Sequence, residues 1–267
     1  MRRPAPHAED DAPLAGTAAR QQRILQLLQA QGYVAIEDLA ARFRVSPQTL
    51  RSDLRDLSAR GLALRHHGGA SVATSAANTD YALRHVENAA AKAAMARRAA
   101  RMVADNATVF LTLGTTIEAA AAALCGHRGL HAVTNSTAAA ALLGTEPGVT
   151  VHLTGGMVQT RNGGLTGPAA VEGAARYRAD ILLMSVGAIS ADGWLLDYHD
   201  DEVSVARAMF ANAARTVVLA DHSKFARTAR CKMFHLRDVA ALVTDAPLPP
   251  ALADIAQAAG LAVEIAA

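Results

Sequence analysis

The chain has 267 residues, 19% of them charged, and a formal net charge of +2. That length can bury a sizeable core and fits two domains; a charge so close to balance excludes a uniformly basic coat, so any nucleic-acid surface must be local. Cys125 and Cys231, far apart in the chain, exclude a disulfide framework and lack metal-ligand spacing, and no apolar run approaches the roughly 18 to 20 residues of a membrane span.

Met1 to Thr17 is rich in Pro, Ala and Asp and has no signal-peptide core, so residues 1–17 read as a disordered tail of a cytoplasmic protein. The local basic surface follows. Arg20, Arg23, Arg42, Arg44, Arg51, Arg55, Arg60 and Arg65 stand against only Glu37, Asp38, Asp53 and Asp56. Ile24, Leu25, Leu27 and Leu28 recur at helical spacing before Gly32 ends the run. Ile36 to Phe43 predicts a second, short helix with Glu37 and Asp38 in its first turn, where the helix dipole favours acids. A third begins at Ser46-Pro47, serine as cap and proline at the first helical position, where no amide bond is lost.

In that third helix Leu50, Leu54 and Leu57 form one inward stripe, leaving Gln48, Thr49, Arg51, Ser52 and Arg55 on other faces. Arginine can take guanine's two acceptors, glutamine can pair with adenine, and serine or threonine suits phosphate. After Gly61, Leu62 to Gly69 reads as a strand and a tight turn, a wing whose Arg65, His66 and His67 would meet the DNA backbone or minor groove. The DNA-reading set is therefore Ser46, Gln48, Thr49, Arg51, Ser52, Arg55, Arg65, His66 and His67, in a domain spanning 18–70. The plainer alternative is a three-helix protein-interaction module with a solvated arginine face.

The run Arg23-Ile24, Gly32-Tyr33-Val34, Asp38-Leu39-Ala40, Phe43, Val45-Ser46-Pro47-Gln48-Thr49-Leu50-Arg51, Asp53-Leu54, Gly61 and Arg65-His66-His67-Gly68-Gly69-Ala70 resembles the DeoR family of sugar-metabolism repressors. It departs at Ser52, where the family usually carries a second arginine. The resemblance implies a winged helix-turn-helix that binds double-stranded operator DNA, and a homo-oligomer, dimer or tetramer, associated with the nucleoid.

Residues 71–104 read as a linker, small and polar at first, then an Ala-rich helix from Val86 to Ala104. Its Lys92, Arg97, Arg98 and Arg101 could extend the DNA footprint, but a solvated helix face is the expected place for them.

From Asp105 to the end of the chain, 105–267, short apolar runs alternate with helical stretches: 108–113, 130–133, 149–153, 181–186, 216–219 and 240–243. Such alternation predicts an α/β domain with a mainly parallel sheet and ligands at the carboxyl ends of its strands. Those ends carry Gly114-Thr115-Thr116, then Asn135 and Ser136, then Gly155 and Gly156, while Arg161 and Lys224 add positive charge. Small donors, close backbone approach and helix starts suit an anion, phosphate above all.

The segment from Asp105 to Ala246, through Gly114-Thr115-Thr116, Thr134-Asn135-Ser136, Gly155-Gly156, Asp180, Gly187, Glu202 and Asp221-His222-Ser223-Lys224-Phe225, is similar to the DeoR sensor domain. That likeness implies the ribose-5-phosphate isomerase and glucosamine-6-phosphate deaminase fold, with a phosphorylated metabolite as effector. Thr112 departs from the family's usual aspartate. Arg65-His66-His67-Gly68-Gly69-Ala70, Asn78-Thr79, Gly163-Gly164, Gly193 to Asp197 and Thr244-Asp245-Ala246-Pro247 resemble the branch of the family that answers to glycerol 3-phosphate. The rival class is a sugar-phosphate isomerase or deaminase using Asp197, Asp200, Asp201, Glu202 and Lys224 as acids and bases. A capped recognition helix and a wing favour the regulator, in which Glu202 orients a ligand hydroxyl or anchors its helix and neither cofactor nor metal is required.

Overall fold

The computed structural model describes residues 17–31, 33–59, 63–66, 68–72, 81, 84–85 and 87–266. His67, the tail before Thr17, and most of the stretch between Val72 and Glu87 lie outside the described residues. The chain divides into two compact units, residues 1–87 and 88–267.

The first unit contains α1 (Thr17–Gln31), β1 (Tyr33–Ala35), α2 (Ile36–Phe43), α3 (Pro47–Ala59), β2 (Ala63–His66) and β3 (Gly69–Val72). Its strands form an antiparallel sheet in the order β1-β3-β2. Ile24, Leu28, Leu39, Leu50, Leu54 and Leu57 are fully buried in one core, so the stripe read along α3 is its packing face. Arg44, between α2 and α3, takes the left-handed conformation at φ 52° and turns the chain into the recognition helix. Arg20 is not part of the free basic surface: its Nε donates to Asp53 Oδ2 at 2.5 Å and its Nη2 to Oδ1 at 3.2 Å. Asp53 is buried, and the pair pins α1 to α3.

The second unit opens with α4 (Ala89–Ala100) and then winds through β4 (Thr108–Leu111), α5 (Thr115–Leu124), β5 (Leu130–Thr134), α6 (Thr137–Leu143), β6 (Val149–Leu153), β7 (Met157–Val158), β8 (Leu165–Thr166), α7 (Pro168–Ala175), β9 (Ile181–Ser185), β10 (Ala188–Ile189), β11 (Trp194–Asp197), α8 (Asp200–Ala211), β12 (Thr216–Leu219), β13 (Cys231–His235), β14 (Ala241–Thr244), α9 (Pro250–Ala259) and β15 (Ala262–Ile265). Seven strands form a wholly parallel sheet in the order β15-β14-β12-β9-β4-β5-β6. Alternate residues of each strand serve opposite cores: Val109, Leu111, Leu183 and Val217 pack with α4, α5 and α6, while Phe110, Leu182, Met184 and Val218 pack with α7, α8 and α9. The unit is therefore a sheet between two helical layers.

The chain leaves β4 for β5 and β6 on one side, then returns through β9, β12, β14 and β15 on the other. The winding reverses between β4 and β9, and such a reversal opens a crevice at the carboxyl ends of the strands. Two small antiparallel sheets, β10-β11-β13 and β7-β8, flank this end.

One side of the Ala-rich helix packs into the second unit, and of its basic residues Lys92 departs from the expected solvated face. Met95, Ala96, Ala99 and Ala100 of α4 are buried in the core of the second unit, because small alanines let this helix lie close against its neighbours. Lys92 is also buried, whereas Arg97 and Arg101 are exposed; Arg98 bonds Glu264 of β15. Among the described residues no helix is long and apolar enough to cross a membrane, and no cluster of His, Cys, Asp or Glu could hold a metal ion.

Candidate nucleic-acid interface and effector site

In the first unit, Ser46 Oγ accepts from the Thr49 amide at 3.1 Å and lies 2.9 Å from the Thr49 hydroxyl. Both side chains thus close the start of α3, as a serine cap should. Gln48, Arg51, Ser52 and Arg55 are exposed and Thr49 half-buried, on the side of α3 away from Leu50, Leu54 and Leu57. Along β2 the alternation puts Arg65 in solvent, while His66 is half-buried, 2.9 Å from Ser71 Oγ and with its ring centroid 5.9 Å from that of Tyr33. His66 shapes the wing, and Arg65 is its outward cation.

In the second unit, Gly114 ends the turn after β4 at φ +117° and caps α5. A Cβ there would stand 3.0 Å from Ser185 Oγ, and that hydroxyl donates to Leu113 O at 3.4 Å. Gly114-Thr115-Thr116 and Ser185 therefore meet at the winding reversal. Ser185 escapes a reading of the sequence, since only strand order brings β9 beside β4. Asn135 follows β5; its Nδ2 donates to Leu165 O at 3.2 Å, and its buried Oδ1 lacks a protein partner among the described residues. Ser136 Oγ accepts from the Ala139 amide, which makes it the cap of α6. Gly155 and Gly156 follow β6 at positive φ; at Gly156 a Cβ would come within 2.5 Å of Thr166 O, so close packing against β8 demands glycine there.

Arg161 does not offer the bare positive charge expected from sequence. Its Nε and Nη2 donate to Glu202 Oε1 at 2.9 and 2.6 Å, and Nη2 also reaches Asp201 at 3.2 Å. Burial disfavours its charge, but the two carboxylates outweigh that and raise its pKa. Asn162 Nδ2 donates to the same Glu202 oxygen at 3.0 Å. Glu202 is buried, and of its two expected roles the geometry displays the anchoring one: it ties α8 to the loop after β7.

Lys224 lies in the 3-10 turn His222–Ala226 that follows β12. The turn is capped by Asp221, whose Oδ1 accepts from the Ser223 amide at 3.0 Å and hydroxyl at 2.5 Å. Burial opposes ionisation of Asp221, yet Ser223, Lys224 and Asn88 outweigh it and hold its pKa below the usual carboxylate range. His222 Nδ1 lies 2.6 Å from Asp245 Oδ2, which raises the imidazole pKa and joins this turn to the end of β14. A half-buried ammonium at such a strand end can meet an anion as a point charge.

Residues 20–76 match the DeoR-like helix-turn-helix domain and residues 87–246 the DeoR C terminal sensor domain. The chain is 40% identical over 232 residues to the HTH-type transcriptional repressor CsqR of Escherichia coli (strain K12), covering 87% of this chain and 88% of that one. It is 38% identical over 230 residues to the glycerol-3-phosphate regulon repressor of the same organism, covering 86% and 91%. A ribose 5-phosphate isomerase A from Methanocaldococcus jannaschii aligns at 17% identity with a TM-score of 0.40, over 52% of this chain and 55% of that one. With both of its regions matched in order and relatives alike over most of its length, the chain belongs to the DeoR family of transcriptional repressors.

Proposed function

We propose that this protein represses a glycerol or carbohydrate catabolic operon in the cytoplasm and leaves its operator when a phosphorylated metabolite, glycerol 3-phosphate first among candidates, occupies the second unit. Residues 18–70 read DNA through Gln48, Thr49, Arg51, Ser52, Arg55 and Arg65, with Ser46 and His66 holding the helix and wing in shape. His67 belongs to the same set by sequence. The effector lies where β4 meets β9, held by Gly114, Thr115 and Thr116, with Ser185, Asn135 and Lys224 around it. Ser136, Gly155, Gly156, Arg161 and Glu202 build the walls.

The observation that carries this reading is the convergence of Gly114, Ser185 and Asn135 at the carboxyl ends of adjacent parallel strands, in a chain that also carries an exposed helix-turn-helix face on α3. The glycerol-3-phosphate regulon repressor among its relatives supports the choice of ligand. Binding rather than catalysis is favoured by Glu202, whose Oε1 is taken by Arg161 and Asn162 in an ion pair that anchors its helix. A helix-turn-helix of this size needs two half-sites for useful affinity, so the active form is at least a dimer.

The test is operator binding by the full chain at rising glycerol 3-phosphate, with glycerol and a panel of phosphorylated three- to six-carbon metabolites alongside. Release by glycerol 3-phosphate and not by glycerol is expected. Release by a different phosphosugar moves only the effector; no binding of any phosphorylated metabolite overturns the sensor assignment.

A further inference from the structure

Two polar side chains stand side by side at the ends of β4 and β5 with bonds left unmade. Thr112 and Asn135 directly follow Leu111 and Thr134, which are register partners in this parallel pair, and the Thr112 amide still donates to Leu183 O at 3.3 Å. Two residues earlier on each strand stand Phe110 and Val133, which share one core, so by alternation Thr112 and Asn135 continue the same face. They are 5% and 2% exposed. Thr112 Oγ1 and Asn135 Oδ1 nevertheless have no hydrogen-bond partner among the described residues, although buried polar atoms are nearly always paired.

The two atoms define what could partner them. Asn135 Nδ2 donates to Leu165 O at 3.2 Å, which fixes the amide and leaves Oδ1, an acceptor only, on its other side. That oxygen can take a hydroxyl or N–H hydrogen, and it repels the oxygens of an ionised phosphate or carboxylate. The Thr112 hydroxyl can donate as well as accept. One group that accepts from Thr112 while donating to Asn135 satisfies both, and a hydroxyl is the simplest such group. Thr112 is two residues before Gly114, at most about 7 Å along the chain, so one short ligand can reach from the Gly114 turn to this pair.

Resting on the effector reading above, we propose that Thr112 and Asn135 form a hydroxyl subsite beside the phosphate site, so that the effector is a hydroxylated phosphate and Thr112 determines its specificity. With the phosphate at Gly114-Thr115-Thr116, a ligand hydroxyl accepts from Thr112 Oγ1 and donates to Asn135 Oδ1. Neither atom is open to solvent in this state, so the ligand gains them as the crevice opens to admit it, and bonds unmade before then strengthen binding. A third atom of this kind, Thr244 Oγ1, ends β14, which β12 and β9 separate from β4. Three strand spacings, about 14 Å, put it out of reach of the same short ligand.

The experiment measures, by calorimetry on the full chain, the affinity for glycerol 3-phosphate relative to propyl phosphate, which carries no hydroxyl. Two neutral hydrogen bonds correspond to a ratio of about 5- to 150-fold in wild type. Thr112→Val, close in shape but without the hydroxyl, is expected to lower that ratio by about 2- to 12-fold, and Asn135→Ala to lower it similarly. Thr112→Ser restores the hydroxyl and with it the ratio, and Thr244→Val, the control, keeps it. Because the Thr112 hydroxyl bonds no described residue, Thr112→Val should also unfold no earlier than wild type on heating, whereas loss of a hydroxyl that served the fold would lower the midpoint. A wild-type ratio in Thr112→Val overturns the proposal, as does an earlier midpoint in that variant or an equal fall of the ratio in Thr244→Val. Should Asn135→Ala fail to fold for want of its bond to Leu165, the two Thr112 variants still decide. If a different phosphorylated metabolite binds more tightly, it takes the place of glycerol 3-phosphate in the ratio. If wild type binds no phosphorylated metabolite, the effector reading fails and this inference with it; a wild type that binds its effector no better than propyl phosphate fails the inference alone.

Discussion

Gly114 and Ser185 meet where the sheet reverses its winding, with room for a hydrogen at Gly114 and none to spare for a methyl group: a Cβ would stand 3.0 Å from Ser185 Oγ. The backbone there is at φ +117°, a conformation that L side chains rarely adopt. Gly114→Ala is expected to cost about 1 to 3 kcal/mol of stability and to weaken effector binding more than operator binding. Urea unfolding and calorimetry with glycerol 3-phosphate check both. A variant as stable as wild type, with unchanged effector affinity, would remove this junction from the site.

Arg51 is exposed on α3 between the buried Leu50 and Leu54, on the face proposed above to enter a major groove. Arg51→Ala should cost about 1 to 3 kcal/mol of operator affinity if the guanidinium reads a base, and less if it touches only phosphate. Operator variants separate the two cases, because loss of a base contact flattens the preference at one position while loss of a phosphate contact weakens all sequences alike. Unchanged affinity across the series takes Arg51 out of the reader.

Glu118, one turn into α5, has its amide on Gly114 O at 3.0 Å and a buried carboxyl whose pKa desolvation pushes up to about 7 from 4.5. The folded protein thus holds this proton more tightly than the unfolded chain. Its contribution is fully present below pH 4.5 and is lost as pH rises from 4.5 to about 7. A shift of that size corresponds to about 3 kcal/mol. Glu118→Gln should flatten this fall, unfolding later than wild type at pH 8 and close to it at pH 4.5. Denaturation curves at the two pH values decide; a variant with the wild-type pH dependence shows that Glu118 is not its source.

The recognition helix was legible because its signals are local: Ser46-Pro47 starts it, and Leu50, Leu54 and Leu57 repeat within it. The strand ends were legible for the same reason, each being an apolar run stopped by Gly-Thr-Thr or Asn-Ser. Their partners were not. Nothing near Arg161 announces Glu202, and Ser185 becomes a neighbour of Gly114 only once β9 is placed beside β4. For the helix after the linker, alanine propensity describes a helix without saying what it packs on. Lys92 looks like a solvent residue by type and lies in the core. β1 has no signal of its own in the sequence, because three residues, Tyr33 to Ala35, become a strand only through pairing with β3.

Lys224 provides the sharpest separation between sensing and DNA reading. Its amide donates to Asp221 O at 2.9 Å, so the backbone of the turn persists when the side chain is cut. Lys224→Ala should therefore fold and, without effector, bind operator near the wild-type level. The effector loses a charge-assisted contact worth about 1.5 to 3 kcal/mol, which is roughly a 10- to 150-fold rise in its Kd. At a glycerol 3-phosphate concentration that releases wild type, the variant remains on DNA. Asp221 loses its compensating charge in the same variant, so its carboxyl pKa moves back up toward 3.8. The stability contributed by a lowered carboxyl is present above that value and lost as pH falls through its folded pKa. A smaller stability difference between neutral pH and pH below 3.8 in the variant is therefore an internal check that the intended contact was removed. Paired titrations of operator binding against glycerol 3-phosphate, in wild type and Lys224→Ala, give the answer directly. Equal release of both proteins at every concentration would place the phosphate elsewhere, and leave the Gly114 and Ser185 junction to be tested without Lys224.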